Sequence, residues 1–140
     1  MNELNESGNK IGYWEWYYRN GDLWSKGNYS EAGERVGYWE QYYSNDEIRS
    51  KGNYTDGNRV GYWEDFNSNG ELWSKGNYTD GNKVGYWEDF YYRNGEIMSK
   101  GNYTDGKIVG YWEGYYNNGE LMSKGNYTDG ERIGYWEYFS

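Results

Sequence analysis

Apolar and polar residues alternate along this chain in runs of about eight, each ended by a turn signal. In one stretch Tyr62, Trp63 and Phe66 are set among Gly61, Glu64 and Asp65. After a break the pattern resumes with Leu72, Trp73 and Tyr78 among Ser74, Lys75 and Asn77. Runs of this length, rich in aromatic and β-branched residues, read as strands. The breaks are Asn69-Gly70 and Asp80-Gly81. Both pairs are strong hairpin signals, because the two central residues of a type I′ turn need φ > 0. Each unit therefore reads as a hairpin joined to the next by another tight turn. The sequence predicts an all-β, single-layer antiparallel meander of about eleven strands.

The pattern repeats. Gly-Tyr-Trp-Glu begins at Gly12, Gly37, Gly61, Gly85, Gly110 and Gly134, a period of 24 with two single-residue insertions. Such a period marks a stacked array whose units bury their apolar faces against one another. Residues 1–140 form one array on this reading. A partial unit spans 1–11, units start at 12, 37, 61, 85 and 110, and a half unit spans 134–140. The insertions lie in Ser30-Glu31-Ala32-Gly33 and Phe90-Tyr91-Tyr92-Arg93, at or beside turns, where an extra residue costs least.

A two-residue Asn69-Gly70 loop fixes a register. Ser68 then faces Glu71, Asn67 faces Leu72, Phe66 faces Trp73 and Asp65 faces Ser74. Further along, Glu64 faces Lys75 and Trp63 faces Gly76. The same count opposes Glu15–Lys26, Glu40–Lys51 and Glu113–Lys124, and Glu88–Lys100 if the extra residue is bulged out. It also opposes Trp14–Gly27, Trp39–Gly52 and Trp112–Gly125. An aromatic ring laid over a cross-strand glycine offsets the weakness glycine brings to a strand. A slip of one residue would destroy both kinds of pair.

Composition changes the picture in two ways. Low hydrophobicity and high charge would usually mean disorder, but 9 Trp, 20 Tyr and 3 Phe supply large buried areas. The net charge of −9 argues against nucleic acid, and a membrane surface is not expected, since both demand a basic footprint. With no Cys and no His, thiolate or His-based metal sites and His acid–base catalysis fall away. No cofactor is expected. The N-terminus has no signal-peptide pattern and no apolar run is long enough for a membrane helix. The expected location is the cytoplasm, or host cytoplasm if the source is viral.

Candidate chemistry is sparse. Glu15, Glu40, Glu64, Glu88, Glu113 and Glu137 form a ladder with the same neighbours in every copy, which suits cross-strand pairing and not a catalytic carboxylate pair. One Asp per Thr-Asp-Gly turn falls short of the six to eight oxygens calcium takes. No enzyme activity is expected. Against this uniformity two positions vary. The residue after the repeated Glu is Trp16, Gln41, Asp65, Asp89, Gly114 or Tyr138. The residue after the hairpin Leu/Ile is Trp24, Arg49, Trp73, Met98 or Met122. The register places the two sets on opposite faces. In a repeat scaffold constant positions hold the fold and variable ones are free to specify a partner. Trp16, Trp24, Gln41, Arg49, Asp65, Trp73, Asp89, Met98 and Met122 are thus the candidate partner-binding residues. Trp14, Gly27, Trp39, Gly52, Trp63, Gly76, Trp112 and Gly125 are the structural set.

The run Gly110-Tyr111-Trp112-Glu113-Gly114-Tyr115-Tyr116-Asn117-Asn118-Gly119-Glu120-Leu121-Met122-Ser123-Lys124-Gly125-Asn126-Tyr127-Thr128-Asp129-Gly130 resembles the MORN repeat (membrane occupation and recognition nexus). It is closest to the second MORN variant, as in YwqK-family antitoxin components of bacterial toxin–antitoxin systems. The resemblance covers nearly the whole chain, from about Asn5 to Ser140. It implies an elongated sheet of stacked hairpins, serving as a scaffold and, in some members, touching phospholipid. Asp46 and Asn67 depart from the regular turn-Gly and second-Tyr positions.

These readings converge on a non-catalytic scaffold whose partner is another protein, with antitoxin-like neutralisation as one form. The alternative is a glycan or choline-type ligand stacked on the aromatic ladder. Choline- and cell-wall-binding repeats are also aromatic-rich hairpins, of shorter period. Free edge strands add the expectation of a homo-oligomer.

Overall fold

The computed structural model describes residues 1–140 as one antiparallel sheet without helices. Its strands are β1 (Glu3–Leu4), β2 (Lys10–Tyr17), β3 (Leu23–Tyr29), β4 (Arg35–Tyr42), β5 (Ile48–Thr55) and β6 (Asn58–Phe66). They continue as β7 (Leu72–Thr79), β8 (Asn82–Phe90), β9 (Ile97–Thr104), β10 (Lys107–Tyr115), β11 (Leu121–Thr128) and β12 (Glu131–Tyr138). Spatial order equals sequence order, so the sheet is an open meander. It has twelve strands where the repeat count gave about eleven. The extra one is β1, whose Glu3 and Leu4 pair with Ile11 and Lys10. No helix is long and apolar enough to cross a membrane.

The two turn signals behave differently. At Asp-Gly both residues are left-handed: Asp56 and Gly57 have φ of 50° and 81°, Asp80 and Gly81 49° and 82°. These are the expected type I′ turns. At Asn-Gly only the glycine is left-handed, Gly70 having φ 89°. Asn69 Oδ1 accepts the Glu71 N–H (3.0 Å), and the Gly70 N–H donates to the Asn67 carbonyl (3.0 Å). The loop is therefore three residues, Ser68-Asn69-Gly70. An asparagine closing a turn with its own side chain keeps a right-handed backbone, leaving the left-handed step to the glycine. Asp46 (φ 70°) takes that step in the second unit, so its departure from the repeat changes no geometry.

This corrects the register beside the loop. Phe66 pairs with Leu72, not with Trp73, and Asn67 bonds to Glu71, not facing Leu72. Trp73 is an extra, bulged residue, after which Asp65–Ser74, Glu64–Lys75 and Trp63–Gly76 pair as expected. Loop and bulge each displace the count by one residue, in opposite senses. In the fourth unit the surplus residue lengthens the loop, which closes from Tyr91 N–H to Glu96 O, and Glu88 still meets Lys100.

A second irregularity builds the core. Between β3 and β4, Lys26 pairs with Glu40 and Asn28 with Val36. One residue, Gly27, therefore spans three: Gly37, Tyr38 and Trp39. Gly37 makes the bend at φ 68°, with open space around it. The bend lays the Trp39 indole across Gly27, where any Cβ would overlap the ring. Trp39 Nε1 donates to the Asn28 carbonyl (3.1 Å). Trp63, Trp87, Trp112 and Trp136 cover Gly52, Gly76, Gly101 and Gly125 in the same way. The glycine is thus covered from the following strand, not by its hairpin partner as the sequence suggests. Trp14 and Gly27 do pair along the backbone, but the ring over Gly27 is that of Trp39.

Tyr29, Tyr54, Tyr78, Tyr103 and Tyr127 fill the spaces between indoles. From Trp14 to Trp136, Trp and Tyr alternate edge-to-face with centroids 5.1–6.4 Å apart. Such pairs contribute roughly 0.5–1.5 kcal/mol each beyond area burial. Trp39, Trp63 and Trp87 are fully buried, so a single-layer sheet makes its core on one face. Between neighbouring units, Tyr18, Tyr43 and Tyr91 donate hydroxyls to the carbonyls of Tyr42, Phe66 and Tyr115 at 2.6–2.7 Å.

Candidate functional site

The opposite face carries the glutamate ladder. Its register is the expected one, but the ion pairs form across the other seam. Lys26 reaches Glu40 (3.4 Å), Lys51 Glu64 (3.7 Å) and Lys75 Glu88 (3.6 Å), while the hairpin pairs, such as Glu15–Lys26, lack such a contact. Each Lys lies between two Glu, and the ion pair closes to the one on the following strand. The tyrosines share the carboxylates: the Tyr42 hydroxyl donates to Glu40 (3.0 Å). Burial, then Glu40, pushes the Tyr38 and Tyr42 hydroxyls up to about 12. Repetition of one arrangement in every unit is what a structural ladder looks like.

The indole face, opposite the glutamates, carries the variation. A bulge turns its extra residue to the face of its neighbour, so the position after Leu/Ile joins the position after Glu on this side. The expectation of opposite faces is thereby corrected. Trp16 and Trp24 meet edge-to-face at 6.1 Å. Gln41, Arg49, Asp65 and Trp73 line one groove of about 580 Å³ between β4 and β8. Met98 and Met122 line a second hollow, of about 280 Å³, with Trp112 and Gly114. Asp89 pairs with Ser99, whose hydroxyl lies 3.3 Å from its carboxylate. The face thus runs from aromatic (Trp16, Trp24), through polar and charged, to a methionine-lined end.

A row of cations missed at the sequence level lies on this same face. Lys10, Arg35, Arg59, Lys83 and Arg132 each sit over a ladder tryptophan, Arg59 at 4.0 Å and Lys83 at 4.4 Å from the ring centroid. The signal was the basic residue two places before each Gly-Tyr-Trp, broken only by Ile108. With Arg49, six cations share this face with two carboxylates, Asp65 and Asp89. The glutamate face holds six Glu and five Lys. The other fifteen acidic residues lie in turns and at strand ends, with only Arg19, Arg93 and Lys107 for company. The acidity of the chain is therefore an acidity of its rims. The indole face is basic.

Asn67 marks the groove. It stands where other units place the stapling tyrosine, and its buried amide nitrogen has no hydrogen-bond partner. Arg59 pairs with Asp65 at 3.5 Å. Burial holds the Asp65 carboxyl above its usual range, although Arg59, Lys83 and Arg49 all pull it down.

Comparison with known families fits this architecture. No curated protein matches the chain. The family model described as MORN repeat variant matches residues 10–31, 35–56, 59–80, 90–105 and 108–129. The fourth match is short and opens at Phe90, where the lengthened loop begins. With five matches spread over most of its length, the chain belongs to the MORN repeat variant family.

Proposed function

We propose that the chain is a non-catalytic scaffold that binds another protein across its indole face. The observation that supports this most is the convergence of both variable positions on one face, over an aromatic ladder that does not vary. Exposed Trp, Met and Arg are types enriched at protein interfaces. Trp24, Trp73, Met98 and Met122 are all more than a third exposed. Neutralisation of a toxin in the cytoplasm is the specific form we favour, on the family resemblance. A photo-crosslinking residue at position 24, 73 or 98 is expected to capture one discrete protein in source cells. The same residue at Tyr62 or Tyr86, on the glutamate face, is expected to capture none. The purified partner should bind the purified chain, and its expression alone should arrest growth. Equal capture from both faces would reject the reading.

One observation favours a second reading, a glycan-binding strip. Tyr38, Tyr62, Tyr86 and Tyr111 stand about half exposed in a row on the glutamate face. Alternate strands separate them by roughly 10 Å. Binding on a glycan array, lost on Tyr62→Ala and kept on Trp73→Ala, would establish it.

A further inference from the structure

The groove between β4 and β8 is the place where the basic row, a variable cation and a missing tyrosine coincide. Arg49 replaces the Trp or Met that other units carry at the bulge, and Arg59 and Lys83 flank it from β6 and β8. Arg59 alone has a carboxylate within ion-pairing distance, that of Asp65, while Lys83 rests on Trp87 and Tyr103 and Arg49 on Tyr43. A ring face holds a cation without neutralising it. The groove thus keeps two formal positive charges unpaired, beside a buried Asn67 amide nitrogen that donates to nothing. Trp73 forms one wall, with 46 % of its surface exposed.

We propose that this groove receives a carboxylate side chain of the partner protein, an Asp or Glu seated between Arg49, Arg59 and Lys83, with an adjoining apolar residue on Trp73. The proposal rests on the protein-binding reading and names the chemistry it requires. Guanidinium groups grip carboxylates through paired, charge-assisted hydrogen bonds. The rims decide against a broad polyanion. Strands of eight residues are roughly 26 Å long, so a flat anionic surface lying across both ends meets the acidic turns within about a Debye length, ~8–10 Å. A single extended peptide laid along the strip meets only the basic midline.

The test is selection of short random peptides on the immobilised full chain. Acidic residues next to an aliphatic or aromatic one should be enriched. For a synthetic peptide from that pool, Arg49→Gln and Lys83→Gln should each weaken binding by about tenfold and flatten its salt dependence. Asp65→Asn removes the competing carboxylate and should tighten it. Asn67→Tyr should fill the groove and abolish binding while the chain stays folded. Peptides without acidic enrichment, lost on Trp24→Ala or Met122→Ala but indifferent to Arg49→Gln, would overturn the groove and leave the protein-binding face standing. Binding indifferent to all of these substitutions would overturn both. Phosphatidylserine vesicles or duplex DNA bound with the same dependence on Arg49 would overturn the peptide in favour of a polyanion.

Discussion

The Trp39 indole lies flat across Gly27, a residue on the strand before it, and leaves no room there for a methyl group. Each interior unit repeats this contact, so the array is a chain of indoles, each seated on the glycine of the preceding hairpin. Cohesion between units is therefore built into the same contact as cohesion within them.

Gly76→Ala drives a Cβ into the Trp87 ring, which is fully buried and has nowhere to go. Overpacking of this kind costs roughly 1–3 kcal/mol. Gly125→Ala makes the same clash with Trp136, which sits on the terminal strand and is only partly covered. The first substitution should lower the urea midpoint clearly and the second much less. Equal effects would mean that the rings carry little of the stability.

Much of this was legible in the sequence. The period, the meander, the Glu–Lys register and the Asp-Gly turns follow from residues whose backbone preferences are local. Two things were not. Asn69 closes its turn through its side chain, a choice that a dipeptide shared by type I′ loops does not reveal, and the compensating bulge at Trp73 hid the error further along the strand. The bend at Gly37 depends on where an indole can rest, which is a tertiary matter. The partition of variable residues between faces turned on that one bulge, and so did the location of the groove.

The Lys–Glu ladder should matter little to stability. Both partners are partly exposed, the Lys75–Glu88 pair having side-chain accessibilities of 34 % and 20 %. Exposed pairs contribute roughly 0–1 kcal/mol. Lys75→Met, which removes the ammonium that lies over the Phe90 ring and keeps an unbranched apolar side chain in its place, is expected to change the unfolding free energy by less than about 1 kcal/mol. A loss of several kcal/mol would show that the ladder is a keystone.

Alkali should be another matter. Tyr38 and Tyr42 titrate near 12 in the folded chain, against 10.0 when unperturbed, because burial and then Glu40 disfavour the phenolate. The native state therefore holds these protons over a range where the unfolded chain has released them. Their contribution to stability is whole below pH ~10 and is lost as pH rises through ~12. Tyr62, Tyr86 and Tyr111 shift in the same direction. Urea midpoints measured across that window should fall with pH, and Glu40→Gln should soften the fall. A flat profile would contradict the burial of these hydroxyls.

Asn67→Tyr restores the repeat's staple. Tyr43 and Tyr91 donate to the carbonyls of Phe66 and Tyr115 at 2.6–2.7 Å, and a tyrosine at position 67 is placed to do the same to Phe90. One net hydrogen bond is worth about 1 kcal/mol, and the substitution also removes a buried, unpaired amide. The melting temperature should rise by about 2–4 °C. An unchanged or lower value would mean that the third unit is shaped by something besides its missing ring.

Self-association should follow from the last strand. β12 pairs with β11 on one side only, and Tyr135 and Tyr138 stand 81 % and 63 % exposed along it. At the other end β1 already covers part of β2, with the Asn2 side chain bonded to both the N–H and the carbonyl of Glu15. The ends are unequal, so head-to-tail stacking is blocked at one side and joining through β12 of two copies, about a twofold axis, is the closed arrangement left. Sedimentation of the 140-residue chain should show a monomer–dimer equilibrium. Tyr135→Lys should shift it to monomer, as a lysine on an exposed edge discourages strand pairing. A chain that stays monomeric at every concentration would show that the edge twist of β12 already prevents pairing.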